Sequence, residues 1–133
     1  MCGIVVRNYI HKLDNSSIRT FIMLGTPNHG GLYNTKAITD YFKEEWQFNT
    51  TLDFMQLTTD SEFMLKLNKD EGIEGVDYYT LAGDIDGKGD GIVLKDSVRL
   101  KGEKAYKTVD CFHMFLKHPL LCPEAYEFIK KNI

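Results

Sequence analysis

Seven residues rich in β-formers, Val76-Asp77-Tyr78-Tyr79-Thr80-Leu81-Ala82, run directly into the glycine-dense stretch Gly83-Asp84-Ile85-Asp86-Gly87-Lys88-Gly89-Asp90-Gly91. That junction predicts a strand ending in a loop that carries three carboxylates. A second short run, Ala105-Tyr106-Lys107-Thr108-Val109, stops just before Asp110-Cys111-Phe112-His113. A third, Ile18 to Leu24, reads as a short, largely buried parallel strand, cut off sharply by Gly25 and Pro27. In open α/β sheets the loops at the carboxyl ends of strands project side chains into one crevice. An aspartate after one strand and a histidine after the next can therefore converge, and the fold class predicted is α/β with a mostly parallel sheet.

The helices fit this layering. Ile4, Val5, Tyr9, Ile10 and Leu13 recur at helical spacing with Arg7, Asn8 and Lys12 between them, which predicts a helix over 3–13 ended by Asp14-Asn15-Ser16-Ser17. Thr59 and Glu62 make a capping-box pattern ahead of Phe63, Met64, Leu65 and Leu67, so a short helix is expected to begin there. A last helix opens at Pro123, a favoured first-turn residue, with Tyr126, Ile129 and Ile133 assigned to one face.

The loop motifs resemble those of the α/β-hydrolase superfamily, in particular its lipases and esterases. Gly89-Asp90-Gly91-Ile92-Val93, with His113 following in Phe112-His113-Met114-Phe115-Leu116-Lys117-His118-Pro119, is similar to the acid and histidine motifs of those enzymes. Leu24-Gly25-Thr26-Pro27-Asn28-His29-Gly30-Gly31 is similar to the LGTP-x-HG segment they carry after the strand that follows the nucleophile elbow. The resemblance spans most of the chain and implies a carboxylic ester hydrolase, a class that includes triacylglycerol lipases, using a Ser-His-Asp triad. It makes Asp90 the triad acid, ahead of Asp86, and His113 the base. His118 precedes Pro119, which pushes it towards an extended surface conformation, and His29 helps to shape its loop.

The resemblance also fixes what to expect at the amino terminus. Lipase elbows read G-x-S-x-G and run into a helix, whereas this chain opens Met1-Cys2-Gly3-Ile4-Val5-Val6-Arg7, with Cys2 where the elbow has its second glycine. The nucleophile would then lie one position before Met1, and the backbone N–H of Met1 would be one oxyanion donor. Residues 1–133 would form a single partial domain, the carboxyl-terminal part of the fold. None of Ser16, Ser17, Ser61 and Ser97 lies in an elbow context, so the chain alone is expected to turn over esters little or not at all. A strand over Ile18–Leu24 that lacked its neighbour would offer an apolar edge for self-association.

Residues 32 to 72 are polar with scattered aromatics, and in a lipase-like fold a cap or lid insertion sits here. Trp46, Phe48 and Phe54 are the candidates for sheltering an acyl chain. The competing reading is an amphipathic helical segment packing a core of its own.

Two other constellations compete for function. Asp84-x-Asp86-x-Lys88-Gly89 resembles a calcium loop, because clustered carboxylates on a glycine-rich turn suit a hard cation. Lys88 and Lys95 fall at the fifth and twelfth positions, where an EF-hand needs ligands, so only a different calcium site, built on Asp84, Asp86 and Asp90, stays open. Cys2 and His11 suggest a cysteine nucleophile, but nine residues of helix hold them about two and a half turns apart. The three cysteines do not make a disulfide framework, although Cys111 and Cys122 can pair around His113 in an exported protein.

Composition narrows the rest. With 43% hydrophobic residues and a formal charge of −3, the chain can bury a core and has no basic excess for nucleic acid. No run approaches the roughly 20 apolar residues of a membrane span. The expected partner is a small-molecule ester or lipid, with no cofactor beyond the calcium alternative. The alternative to an enzyme is a non-catalytic fragment or association module on a degenerate hydrolase fold.

Overall fold

The computed structural model of the chain describes residues 2–12, 17–32 and 56–133. Three strands, β1 (Thr20–Leu24), β2 (Asp77–Gly83) and β3 (Ala105–Val109), form a parallel sheet in the order β1-β2-β3. Thr20 pairs with Asp77 and Leu24 with Leu81, while Tyr79 pairs with Ala105 and Gly83 with Val109. Parallel pairing brings the three carboxyl ends to one edge. Among the described residues β1 and β3 are the two edge strands.

Helices α1 (Cys2–Lys12), α2 (Glu62–Leu67) and α3 (Pro123–Lys131) complete the regular structure. The central strand β2 is buried on both faces, and its alternation sorts the core into layers. Tyr78 points to the side where Ile10 of α1 packs with Met23, Val76 and Leu100. Leu81 points to the other side, against Val109, Leu116, and Ala125 and Phe128 of α3. The connection from β2 to β3, residues 84–104, contains no α-helix, only a 3-10 turn over Lys95–Ser97. Val93 and Val98 from this connection pack on Ala82, so the loop is anchored to the sheet.

Three sequence expectations are corrected here. Arg7, assigned to the polar side of α1, is fully buried between Ile4 and Ile10, while Val5 and Tyr9 face solvent. Its guanidinium donates to the Asn28 carbonyl and Oδ1, to the carbonyls of Leu67 and Glu71, and to Asn68 Oδ1, at 3.0–3.4 Å. Periodicity weighs apolar side chains alone and has no means of finding a cation with five oxygen acceptors. On α3 the buried residues are Ala125 and Phe128, whereas Tyr126, and Ile133 just beyond the helix, are exposed. Helix α2 is capped by Ser61, not Thr59: the Ser61 hydroxyl accepts from the Met64 N–H at 3.2 Å.

Residues 33–55, which include Trp46, Phe48 and Phe54 and most of the segment assigned to a cap, lie outside the described residues, as does Met1. No helix among the described residues is long and apolar enough to cross a membrane.

Candidate active site

Each strand ends at a residue that lets the chain turn across the carboxyl edge. After β1, the Gly25 N–H donates to the Leu81 carbonyl at 2.8 Å and the residue adopts φ 58°, a left-handed conformation that glycine takes without strain. After β2, the Asp84 N–H donates to the Val109 carbonyl at 2.9 Å. Loops 25–31, 84–94 and 110–122 therefore leave the sheet side by side.

Asp90 and His113 meet where these loops converge. His113 Nδ1 lies 2.7 Å from Asp90 Oδ2, and the His113 backbone N–H donates to the Asp90 carbonyl at 3.0 Å. The other carboxylate oxygen, Oδ1, accepts the N–H groups of Ile92 at 3.0 Å and Val93 at 2.7 Å. Asp90 is 1% exposed, and its burial is compensated because both oxygens have donors. A carboxylate can only accept, so a neutral imidazole in this contact would carry its proton on Nδ1 and present the Nε2 lone pair. The His113 side chain, 28% exposed, lines a cleft of about 190 Å³ with Leu24, Met114, Leu116 and Lys117.

Two glycines and one leucine make room for this pair. A Cβ on Gly25 would stand 3.0 Å from both Asp90 Oδ2 and His113 Nδ1, and 2.7 Å from Leu116 Cδ1. A Cβ on Gly83 would stand 2.6 Å from the Asp90 Cβ and 2.3 Å from the Cys111 carbonyl oxygen. Leu116, 3% exposed, thus closes the pair off from below. On the far side of Gly25, a Cβ on Gly3 would lie 2.3 Å from Thr26 Oγ1, so the first turn of α1 abuts the same loop. The amino terminus of an 11-residue helix, the positive end of its dipole, is therefore packed on the loop that cradles the pair.

Arg7 and Asn28 brace that loop from beneath. Asn28, itself buried, accepts from Arg7 and donates through Nδ2 to the Val98 carbonyl at 2.6 Å. Burial pulls the Arg7 pKa down to about 10, against a smaller raising effect from Glu71. His29 lies 3.4 Å from Glu71 and does not join the pair.

The structure does not gather the three loop aspartates into one ligand set. Asp84 Oδ2 receives Lys95 Nζ at 2.7 Å, a hydrogen bond that raises the pKa of the lysine. Asp86 Oδ1 accepts the N–H groups of Lys88 and Gly89 at 2.9 and 3.3 Å, and Asp90 belongs to His113. The group of potential metal ligands that does come together among the described residues is Cys111, Cys122 and Glu124. Cys111 and Cys122, however, are joined as a disulfide with a Cα–Cα distance of 6.1 Å, while Cys2 is free and exposed. The disulfide closes the loop that carries His113. His118 is exposed, as its place before Pro119 implies.

Sequence reasoning missed Gly25, Gly83, Leu116 and Arg7 as supports of the pair. The glycine that follows each of the first two strand runs was the available signal. Neither a protein-family profile nor a curated protein sequence matches the chain. Fold and geometry alone define the class: a small α/β domain with a three-stranded parallel sheet and an aspartate–histidine pair at its carboxyl edge.

Proposed function

We propose that Asp90 and His113 are the acid and the base of a Ser-His-Asp triad in a carboxylic ester hydrolase of the α/β-hydrolase type, lipase-like in its motifs. The serine would be supplied by the residue immediately before Met1. The observation that carries this reading is the 2.7 Å contact between Asp90 Oδ2 and His113 Nδ1, made by a carboxylate whose other oxygen is held by two backbone N–H groups. A fixed, buried carboxylate on Nδ1 sets the tautomer that general-base catalysis at Nε2 requires.

In this mechanism His113 Nε2 takes the hydroxyl proton as serine attacks the ester carbonyl. Asp90 stabilises the resulting imidazolium, and backbone N–H groups at the start of α1 receive the developing oxyanion. The imidazolium returns its proton to the leaving alkoxide. Water, activated by the same Nε2, then releases the acid. The loop motifs and the packing of the first turn of α1 on Thr26 support the position of the nucleophile in this scheme.

The test is genetic and kinetic. DNA upstream of the Met1 codon should encode G-x-S in frame, and the longer chain should hydrolyse p-nitrophenyl esters. Replacement of that serine, or His113→Ala, should lower kcat by about 10³-fold or more, given how triads fail when a member is removed. Turnover that survives His113→Ala would overturn the proposal.

A further inference from the structure

The neck of the loop that carries His113 brings together three groups that suit a soft divalent cation. The sulfurs of Cys111 and Cys122 and a carboxylate oxygen of Glu124 all lie within 4.8 Å of one another. Cys111 follows β3, Cys122 immediately precedes α3, and Glu124 sits in the first turn of that helix, so two packed elements place the donors. Both cysteines are buried in the cluster of Leu81, Val109, Leu116 and Phe128, whereas Glu124 is exposed. The group is thus walled by apolar side chains on one side and open to solvent on the other. Glu124 accepts Lys107 Nζ at its backbone carbonyl, at 3.5 Å, and among the described residues no cation pairs with its carboxylate.

In the disulfide the sulfurs carry no charge to offer an ion. Reduction changes that: a dithiol reductant closes into its own disulfide while each protein sulfur gains one electron and one proton. A divalent cation can then displace both protons, since the thiolate is the metal ligand. Two thiolates alone would be costly among apolar side chains, but a dication offsets them, and the positive end of the nine-residue α3 lies at Cys122. Tetrahedral zinc, with Zn–S of about 2.3 Å, sets its two sulfurs about 3.8 Å apart. Cysteines with Cα atoms 6.1 Å apart reach that separation by side-chain rotation. Two thiolates with one carboxylate select zinc over calcium or magnesium, which take oxygen ligands, and water fills the fourth position from the solvent side. We infer that Cys111, Cys122 and Glu124 of the reduced chain form a zinc site. The ion would tie the ends of the His113 loop where oxidising conditions leave a disulfide, so the loop is held closed in both redox states. The inference does not rest on the ester-hydrolase reading.

Cobalt, a coloured stand-in for zinc, tests this on the full chain without requiring turnover. After reduction with a phosphine, one equivalent of cobalt should give a thiolate-to-metal charge-transfer band in the near ultraviolet and the intense visible bands of tetrahedral coordination. Zinc should bleach both by displacement, and the oxidised chain should give neither. Glu124→Gln should weaken cobalt binding by at least about tenfold, and Cys122→Ser should abolish it. Cys2→Ser, which removes the free exposed thiol, and Glu127→Gln, exposed on α3, should change nothing. Zinc should also raise the melting midpoint of the reduced chain, and raise it less in Glu124→Gln. Absence of the bands, whether the reduced chain is folded or unfolded by circular dichroism, would overturn the inference. So would binding unaffected by Glu124→Gln, which would leave only a loose pair of thiols, or binding that requires Cys2.

Discussion

Replacing Gly25 by alanine probes the support of the Asp90–His113 pair with a single methyl group. Two costs should add. Gly25 sits at φ 58°, where an L-residue loses about 1–2 kcal/mol relative to glycine. The new methyl would also stand 3.0 Å from both Asp90 Oδ2 and His113 Nδ1, inside normal contact distance, and neither atom can retreat without leaving the other. Overpacking of this kind adds about 1–3 kcal/mol. Gly75→Ala is the matched control, because Gly75 is also at positive φ (87°) yet a Cβ there meets nothing within 4 Å. Urea unfolding should therefore find Gly25→Ala less stable than Gly75→Ala by about 1–3 kcal/mol. Nitrogen-15 NMR of the imidazoles should show His113 losing its fixed Nδ1–H tautomer in the first variant alone. Equal stabilities, with an unchanged His113 spectrum, would refute the argument that Gly25 is there to make room for the pair.

Other predictions follow from the same packing. Cys111→Ser with Cys122→Ser, or reduction, removes a cross-link spanning 11 residues and should cost about 3 kcal/mol in urea melts while loosening the His113 signal. Arg7→Met leaves the buried acceptors at Asn28 and Leu67 without a donor and should lower stability by about 2–4 kcal/mol in a thermal or urea melt. His11 has a buried, unpartnered Nε2; burial first, and the Arg7 charge second, hold its pKa below the ordinary 6.5. The unfolded chain thus binds the proton more readily, so stability should fall as pH drops through about 6.5, and His11→Gln should flatten that part of a urea-midpoint-against-pH curve.

Legibility in the sequence depended on whether a feature was local. The strand over Ala105–Val109 was readable to the residue, because a run of β-formers is bounded by charged and turn residues on both sides. The parallel strand over Thr20–Leu24 was readable as a short, largely apolar run, and the rule that parallel strands deliver their loops to one edge brought an aspartate of the 84–90 loop towards His113, with the motif resemblance selecting Asp90. What escaped was pairwise and long-range. Arg7 finds acceptors as far as 64 residues away, at Glu71, and nothing in the pattern of α1 announces them. Tyr126, Ile129 and Ile133 share a face by spacing, but which face of α3 meets the core is decided by packing against β3, where Ala125 and Phe128 are buried while Tyr126 and Ile133 are exposed. Ser61 caps α2 because the helix begins at Glu62, two residues later than a capping box on Thr59 would start it.

The most direct test of the proposed triad is to add to the chain the serine that the proposal places ahead of Met1. A Gly-His-Ser extension ahead of Met1 puts a serine hydroxyl where the triad requires one, and the rate at which a fluorophosphonate labels that serine reports its activation. With Asp90 and His113 intact, labelling should be rapid, and it should slow by about 10²–10⁴-fold in His113→Ala, the range associated with a positioned general base. Labelling that is equally fast without His113, or absent with it, would contradict the account.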